Sequence, residues 1–311
     1  MQISLSRFRV LLLLLASVVL SVSDRLMAVP PAKSSGSTPP DYAAERADRA
    51  RGLTQPYGWL SLVALNQIHP GLNTVGSDKG NTIVLAGTPS HLLTFELKDG
   101  LVKLASADSR VSYHGHLVGG SAPNLLISAD ERDESALAYG TLRLWVIDRS
   151  GSRYLRVKDS EAPTLKHFHG LNWYEPDAHY RVQARWVPDA GGHVMSVPNK
   201  IGQVSSVTVP GHVEFELNGA HYSLVPLNVS ATSLWFVFRD ETYHQTTDQG
   251  GRFLYTDGPS NGLDKPGEVT IDFNEAVNPP CAYSPYATCP LAAKENRLAV
   301  AIRAGEKRYE E

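Results

Sequence analysis

Cys281 and Cys289 stand with seven residues between them in DFNEAVNPPCAYSPYATCPL, residues 272–291, beside four prolines. Such a pair could close a disulfide, supply half of a metal site, or set a thiol nucleophile beside a second thiol. A metal site needs two further ligands, which the spacing does not provide. A nucleophile must stay reduced. A disulfide needs only an oxidising compartment, and closing so small a loop stabilises the fold by about 2–3 kcal/mol in the chain-entropy account. Prolines at 279, 280, 285 and 290 remove backbone donors and bar the segment from a central strand. The expectation is a Pro-rich loop stapled through Cys281 and Cys289, with no metal and no cofactor.

The second constellation is carboxylate, guanidinium and amide. In VTIDFNEA, Val269, Ile271 and Phe273 point one way along a strand, and Asp272 and Asn274 share the other face. Arg252 opens the strand of GRFLYTD, Asp240 follows the strand of LWFVF, and Asn278 leads into the Pro-rich loop. If these strands are neighbours, Asp240, Arg252, Asp272, Asn274 and Asn278 form a candidate site for a polar ligand or an anion. The same groups also read as a buried ion-pair network that fixes register. Two His-x-His pairs, His114 with His116 and His167 with His169, could each present two zinc ligands from a strand. SYHGHLVGG reads as a turn, however, KHFHG lies in a connector, and no third ligand is identifiable. No G-x-S-x-G, H-E-x-x-H, Walker or dinucleotide fingerprint occurs, and Gly119-Gly120 and Gly250-Gly251 precede no helix.

These residues need a scaffold, and the 311-residue chain is long enough to build one large or two ordinary cores. Its 42% hydrophobic and 20% charged residues are those of a globular protein. Arg7 and Arg9 precede an apolar run, Val10 to Leu20, too short to span a bilayer. With Ser21 and Ser23 behind it, the segment reads as a signal peptide over 1–23, cleaved near Ser23, and the product as periplasmic or secreted. Its removal takes two arginines and no acid, leaving 27 basic against 32 acidic residues, a net charge of −5. A mildly acidic chain without a Lys/Arg cluster lacks the footprint of nucleic-acid binding. No transmembrane segment is expected in the mature chain.

Residues 24–52 read as a Pro/Ser/Gly tether followed by one short helix, DYAAERADRARGL, with Asp41 as N-cap. Short apolar or alternating runs then recur between Gly, Pro, Asn and Asp, the signature of an all-β fold with few short helices. In TLRLWVI, Leu142, Leu144 and Val146 alternate with Arg143 and Trp145, as in a half-buried strand. LWFVF is apolar on both faces and should lie centrally. Asn218-Gly219 between alternating arms marks a hairpin. A drop in β-branched residues near 160–170 divides two consecutive sandwich or barrel units, 53–165 and 166–311.

The segments GWLSLVAL, PGLNTVGSD, NTIVL, GGRFLYTD, the Asn-Pro-Pro-Cys loop and ENRLAVAIRAGEK together resemble the bacterial DUF1684 family over about residues 50–307. The resemblance implies the domain and no activity, since the family's function is unknown. The chain departs from the family pattern at TYHQTTDQGGRF, where Tyr243, His244, Asp248 and Gln249 replace a smaller turn. Residues 71–118 are also similar to the opening of a forkhead-associated domain, a β-sandwich that binds phosphothreonine. Ser77 stands where that family has its phosphate-binding arginine, and His114-Gly115 where it has Asn-Gly. The likeness thus implies a sandwich, and the phosphopeptide activity is not expected to carry over. The reading that follows is an exported, non-catalytic binding module whose partner is a small polar molecule or an envelope component. One alternative is a hydrolase or transferase using Asp240 and Asp272 with Arg252. Another is a structural envelope protein.

Overall fold

A computed structural model describes residues 40–119, 125–127 and 137–310. The expected signal peptide and nearly all of the tether lie outside these residues. Strands are numbered in chain order. The first half packs two sheets face to face. One runs in the order β1 (Leu62–Ile68), β11 (Ser152–Asp159), β10 (Leu142–Arg149), β9 (Leu137–Tyr139), β6 (Ser112–Tyr113), β7 (His116–Leu117). The other runs β3 (Ile83–Val84), β2 (Gly71–Gly76), β4 (Leu93–Lys98), β5 (Leu101–Ala107), β8 (Leu125–Ile127). Their inner faces meet through Val75, Phe95, Leu104, Leu144 and Leu155. The second half pairs a sheet ordered β14 (Ala220–Leu224), β13 (Val204–Leu217), β12 (Arg181–Pro198), β18 (Gly267–Asp272) with one ordered β15 (Asn228–Val229), β16 (Ser233–Phe238), β17 (Arg252–Asp257). Trp186, Phe215, Phe236, Leu254 and Ile271 fill the space between them. Among the described residues the fold is all-β with two α-helices, α1 (Tyr42–Leu53) and α2 (Pro163–Lys166).

The local signals act as the residues require. Asp41 caps α1 by accepting from Ala44 N at 3.0 Å. Asn218 and Gly219 turn the β13–β14 hairpin with φ of 57° and 74°, the left-handed pair of a type I′ turn. LWFVF becomes the middle strand of its sheet, with every residue of β16 buried. SYHGHL is a miniature hairpin of β6 and β7 around His114 and Gly115.

One expectation needs correction. β10 is not half-buried, because Trp145 and Ile147 on its outward face are also covered, by Leu65 and Tyr154. Pro188 and Gly191-Gly192 do not end β12. A bulge between Pro188 and His193 absorbs them, and the strand runs on to Pro198 against β13.

Candidate functional site

Asp240 and Arg252 do come together. β16 and β17 are antiparallel with Phe238 opposite Arg252, so a residue just past β16 faces the start of β17. Arg252 Nη2 lies 3.3 Å from Asp240 Oδ2, and both side chains are 1% exposed. The remaining groups are taken up by protein. Asp240 accepts from Ile302 N at 2.6 Å and Thr242 Oγ1 at 2.8 Å. Arg252 donates to Ile302 O at 3.0 Å and to Ala304 O, with its guanidinium over the Phe238 ring. Burial pulls the Arg252 pKa down, and Asp240 opposes that pull. The pair clamps the C-terminal segment 302–304 onto two strands.

Asp272 joins neither partner. At the end of β18 it stands opposite Arg181 of β12, whose Nε is 3.2 Å from Oδ2. Tyr42 of α1 donates to the same oxygen at 2.8 Å. Asn274 donates to Oδ1 through its backbone N and Nδ2, at 3.0 and 2.9 Å. Asn274 Oδ1 in turn accepts from Asp177 N, while Nδ2 also reaches Asp177 O. Burial first, then the bond to Asp272, pushes the Tyr42 hydroxyl well above its ordinary pKa.

Asn278 belongs to a third cluster, built on Glu306, Tyr283 and Arg49, which the sequence reasoning did not single out. Asn278 gives Nδ2 to Glu306 Oε1 at 2.8 Å and its backbone N to Oε2 at 3.2 Å. Tyr283 Oη also donates to Glu306 Oε1. Arg49 Nε stands 3.4 Å from Oε2, and Arg49 Nη2 donates to Asn278 O at 2.8 Å. Glu306 is fully buried, and burial holds its carboxyl above the usual range against the opposing pull of Arg49, Tyr283 and Asn278. Gly305 makes this possible. Its φ is +81°, and a Cβ there would meet Ala276 O at 2.6 Å.

The Pro-rich loop holds both thiols but no bridge. The expected disulfide is not formed. Cys281 and Cys289 are free, with Cys281 N 3.2 Å from Cys289 Sγ. Burial, reinforced by the neighbouring Cys281, pushes the Cys289 thiol up. As the prolines require, the segment is no strand of either sheet: it carries a 3-10 turn, Pro280–Ala282, and Pro290 makes only a single bridge to Asn199. His114, His116, His167 and His169 are all exposed. No group of three or more His, Cys, Asp or Glu is placed to hold a metal ion among the described residues, and none of their helices is long and apolar enough to cross a membrane.

A concavity lies elsewhere, over the outer face of the β14-β13-β12-β18 sheet. Register sets Ser223, Glu214, Arg185 and Glu268 in a row across the four strands, with His221 opposite Glu216 beside it. The loop after β17 forms a wall through Ser260 and Asn261. Ser260 Oγ accepts from Glu268 N and Asn261 Nδ2 donates to Pro266 O, which fixes that wall. The groove encloses about 700 Å³. Here the side chains are exposed, and those of Arg185, Glu216, His221 and Glu268 have no hydrogen-bond or ion-pair partner among the described residues.

Residues 166–307 match a family described as protein of unknown function (DUF1684), a shorter span than the resemblance over 50–307 implied. An uncharacterized protein of Haloarcula marismortui, solved in solution by NMR, is 30% identical. The likeness covers 46% of this chain and 78% of that one, with a TM-score of 0.39. A search of curated proteins finds no match. The chain belongs to the DUF1684 family, and the matched residues hold every member of the three polar clusters except Tyr42 and Arg49 of α1.

Proposed function

We propose that this chain is an exported binding module that takes a small polar ligand or envelope component in the groove over the β14-β13-β12-β18 sheet. One observation carries the reading. The side chains of Arg185, Glu216, His221 and Glu268 line a concavity of about 700 Å³ and spend no hydrogen bond on the described residues, whereas Asp240, Arg252, Asp272 and Asn274 are buried and engaged by protein groups. A ligand can satisfy the first set without breaking anything; reaching the second means opening the core. The groove is also of ordinary size for a small-molecule site. With Glu214, the groove sets three glutamates against Arg185, which favours a ligand with ammonium or hydroxyl donors. The hydrolase or transferase reading finds no support in carboxylates so occupied. In an oxidising compartment the adjacent thiols of Cys281 and Cys289 would close, bracing the loop without adding chemistry.

A ligand that prefers the folded state must stabilise it, by about 2.7 kcal/mol at a hundred times its Kd. Thermal shift against a panel of amines, polyols, sugars and amino acids should therefore find a class that raises Tm. Arg185→Ala and Glu268→Gln should abolish that rise while moving the ligand-free stability by no more than about 0.5 kcal/mol, as for exposed surface positions. A stabilising compound indifferent to both substitutions would move the site out of the groove. Export is checked by N-terminal sequencing of protein recovered outside the cytoplasm, expected to begin at Asp24.

A further inference from the structure

Helix α1 is attached in an unusual way. Tyr42, Arg46 and Arg49 recur at i, i+4 and i+7, which puts them on one helix face, and each is bound by the second half of the chain. Tyr42 donates to Asp272 at 2.8 Å, Arg46 to Tyr174 O at 2.8 Å, and Arg49 to Asn278 O at 2.8 Å. Arg46 also lies over the Trp173 ring, and Arg49 over that of Tyr283. Leu53 is the only residue of α1 that is fully buried. A twelve-residue helix is marginal by itself in water, so α1 stands because this cleft receives it.

The receiving groups all belong to the family-matched region, and α1 does not. Two buried carboxylates, Asp272 and Glu306, and the carbonyls of Tyr174 and Asn278 form a surface for a phenol and two guanidinium groups. The fit is incomplete. Among the described residues, Arg46 Nε and Arg49 Nε donate no hydrogen bond, and the fully buried Asn278 Oδ1 accepts none. Arg46 Nε and Asn278 Oδ1 gave up water without a matching partner there, and Arg49 Nε keeps only its 3.4 Å ion pair with Glu306 Oε2. An element integral to the core would have apolar area to offset that loss, and α1 has almost none.

We propose that the cleft beneath α1 is a recognition site for a basic helix face, and that α1 is its built-in, displaceable occupant. The partner it fits is a helical peptide segment presenting a tyrosine and two arginines at i, i+4 and i+7. The hinge is the connection between α1 and Trp59, Thr54 to Gly58, which includes Pro56. Opening there exposes Asp272, Asn278 and Glu306 to such a segment without unfolding either sheet.

The test uses the full chain and a labelled synthetic peptide of residues 41–54. Arg46→Ala/Arg49→Ala loosens α1 in cis and leaves every cleft residue in place. The variant should bind the peptide at least ten-fold more tightly than the native chain, and binding should weaken as salt rises. The same peptide with both arginines replaced by alanine should not bind. A folded variant that takes up no peptide overturns the proposal. If the variant does not fold, hydrogen exchange on the native chain decides. A displaceable helix exchanges its amides at least a hundred-fold faster than β16, and protection equal to that of β16 overturns the proposal.

Discussion

Arg252 and Asp240 show what burial demands of charge. Each gives up hydration, and their attraction offsets that cost only because Ile302, Ala304 and Thr242 take up the remaining donors and lone pairs. Arg252→Ala is therefore expected to cost about 3–5 kcal/mol, since it strands a buried carboxylate. Arg252→Met with Asp240→Leu should cost far less, and urea midpoints compare the two; equal losses would mean that packing, not charge, dominates. Glu306 yields a pH prediction. Its carboxyl is held above the usual range by burial, so the folded state binds a proton that the unfolded state has released. The stabilisation from this group is full below the ordinary carboxylate pKa and is lost as pH rises through the raised value. Glu306→Gln removes the titration. The Tm of the variant minus that of the native chain should accordingly rise from pH 4 to pH 8, and a difference that falls would reverse the assigned direction.

Elements explain which of these residues could be foreseen. Asp240 and Arg252 flank two runs that pair, so their meeting was legible from LWFVF and GRFLYTD. That Asp272 faces Arg181 instead of Arg252 depends on the register of β12 against β18, two strands far apart in the chain. Arg49 and Glu306 are farther apart still, and neither sits in a pattern that marks a partner. Trp145 misled for a related reason: alternation tells which face a residue takes and not whether that face is later covered. The turn signals were the most reliable, because a positive φ is a local demand. They also separate two glycines. At Gly219 the space is open, so Gly219→Ala meets only the backbone penalty, about 1 kcal/mol. At Gly305 a Cβ would lie 2.6 Å from Ala276 O and 2.7 Å from Phe273 O. Gly305→Ala should cost distinctly more than Gly219→Ala in the same denaturation assay, and the reverse order would place Glu306 wrongly.

At the scale of the whole molecule, the Pro-rich loop lies where the two halves meet. Ser284 Oγ donates to Leu62 O at 2.9 Å, Arg149 Nε to Thr288 Oγ1 at 2.8 Å, and Gln203 Nε2 to Arg149 O at 3.2 Å. Leu62, the first residue of β1, is buried in one cluster with Val197, Trp235, Phe253 and Cys289, all from the second half. One side chain of the first sandwich is thus part of the second unit's core. If that contact couples the halves, Leu62→Ala should cost about 2–5 kcal/mol, as buried leucines do, and should lower the stability of both. Trp145 reports on the first half, and Trp186 and Trp235 on the second. In variants that keep one or the other set, the fluorescence transitions should coincide in the native background and shift together on Leu62→Ala. A shift seen by Trp235 but not by Trp145 would mean that the sandwiches unfold independently, and that the loop joins them without coupling them.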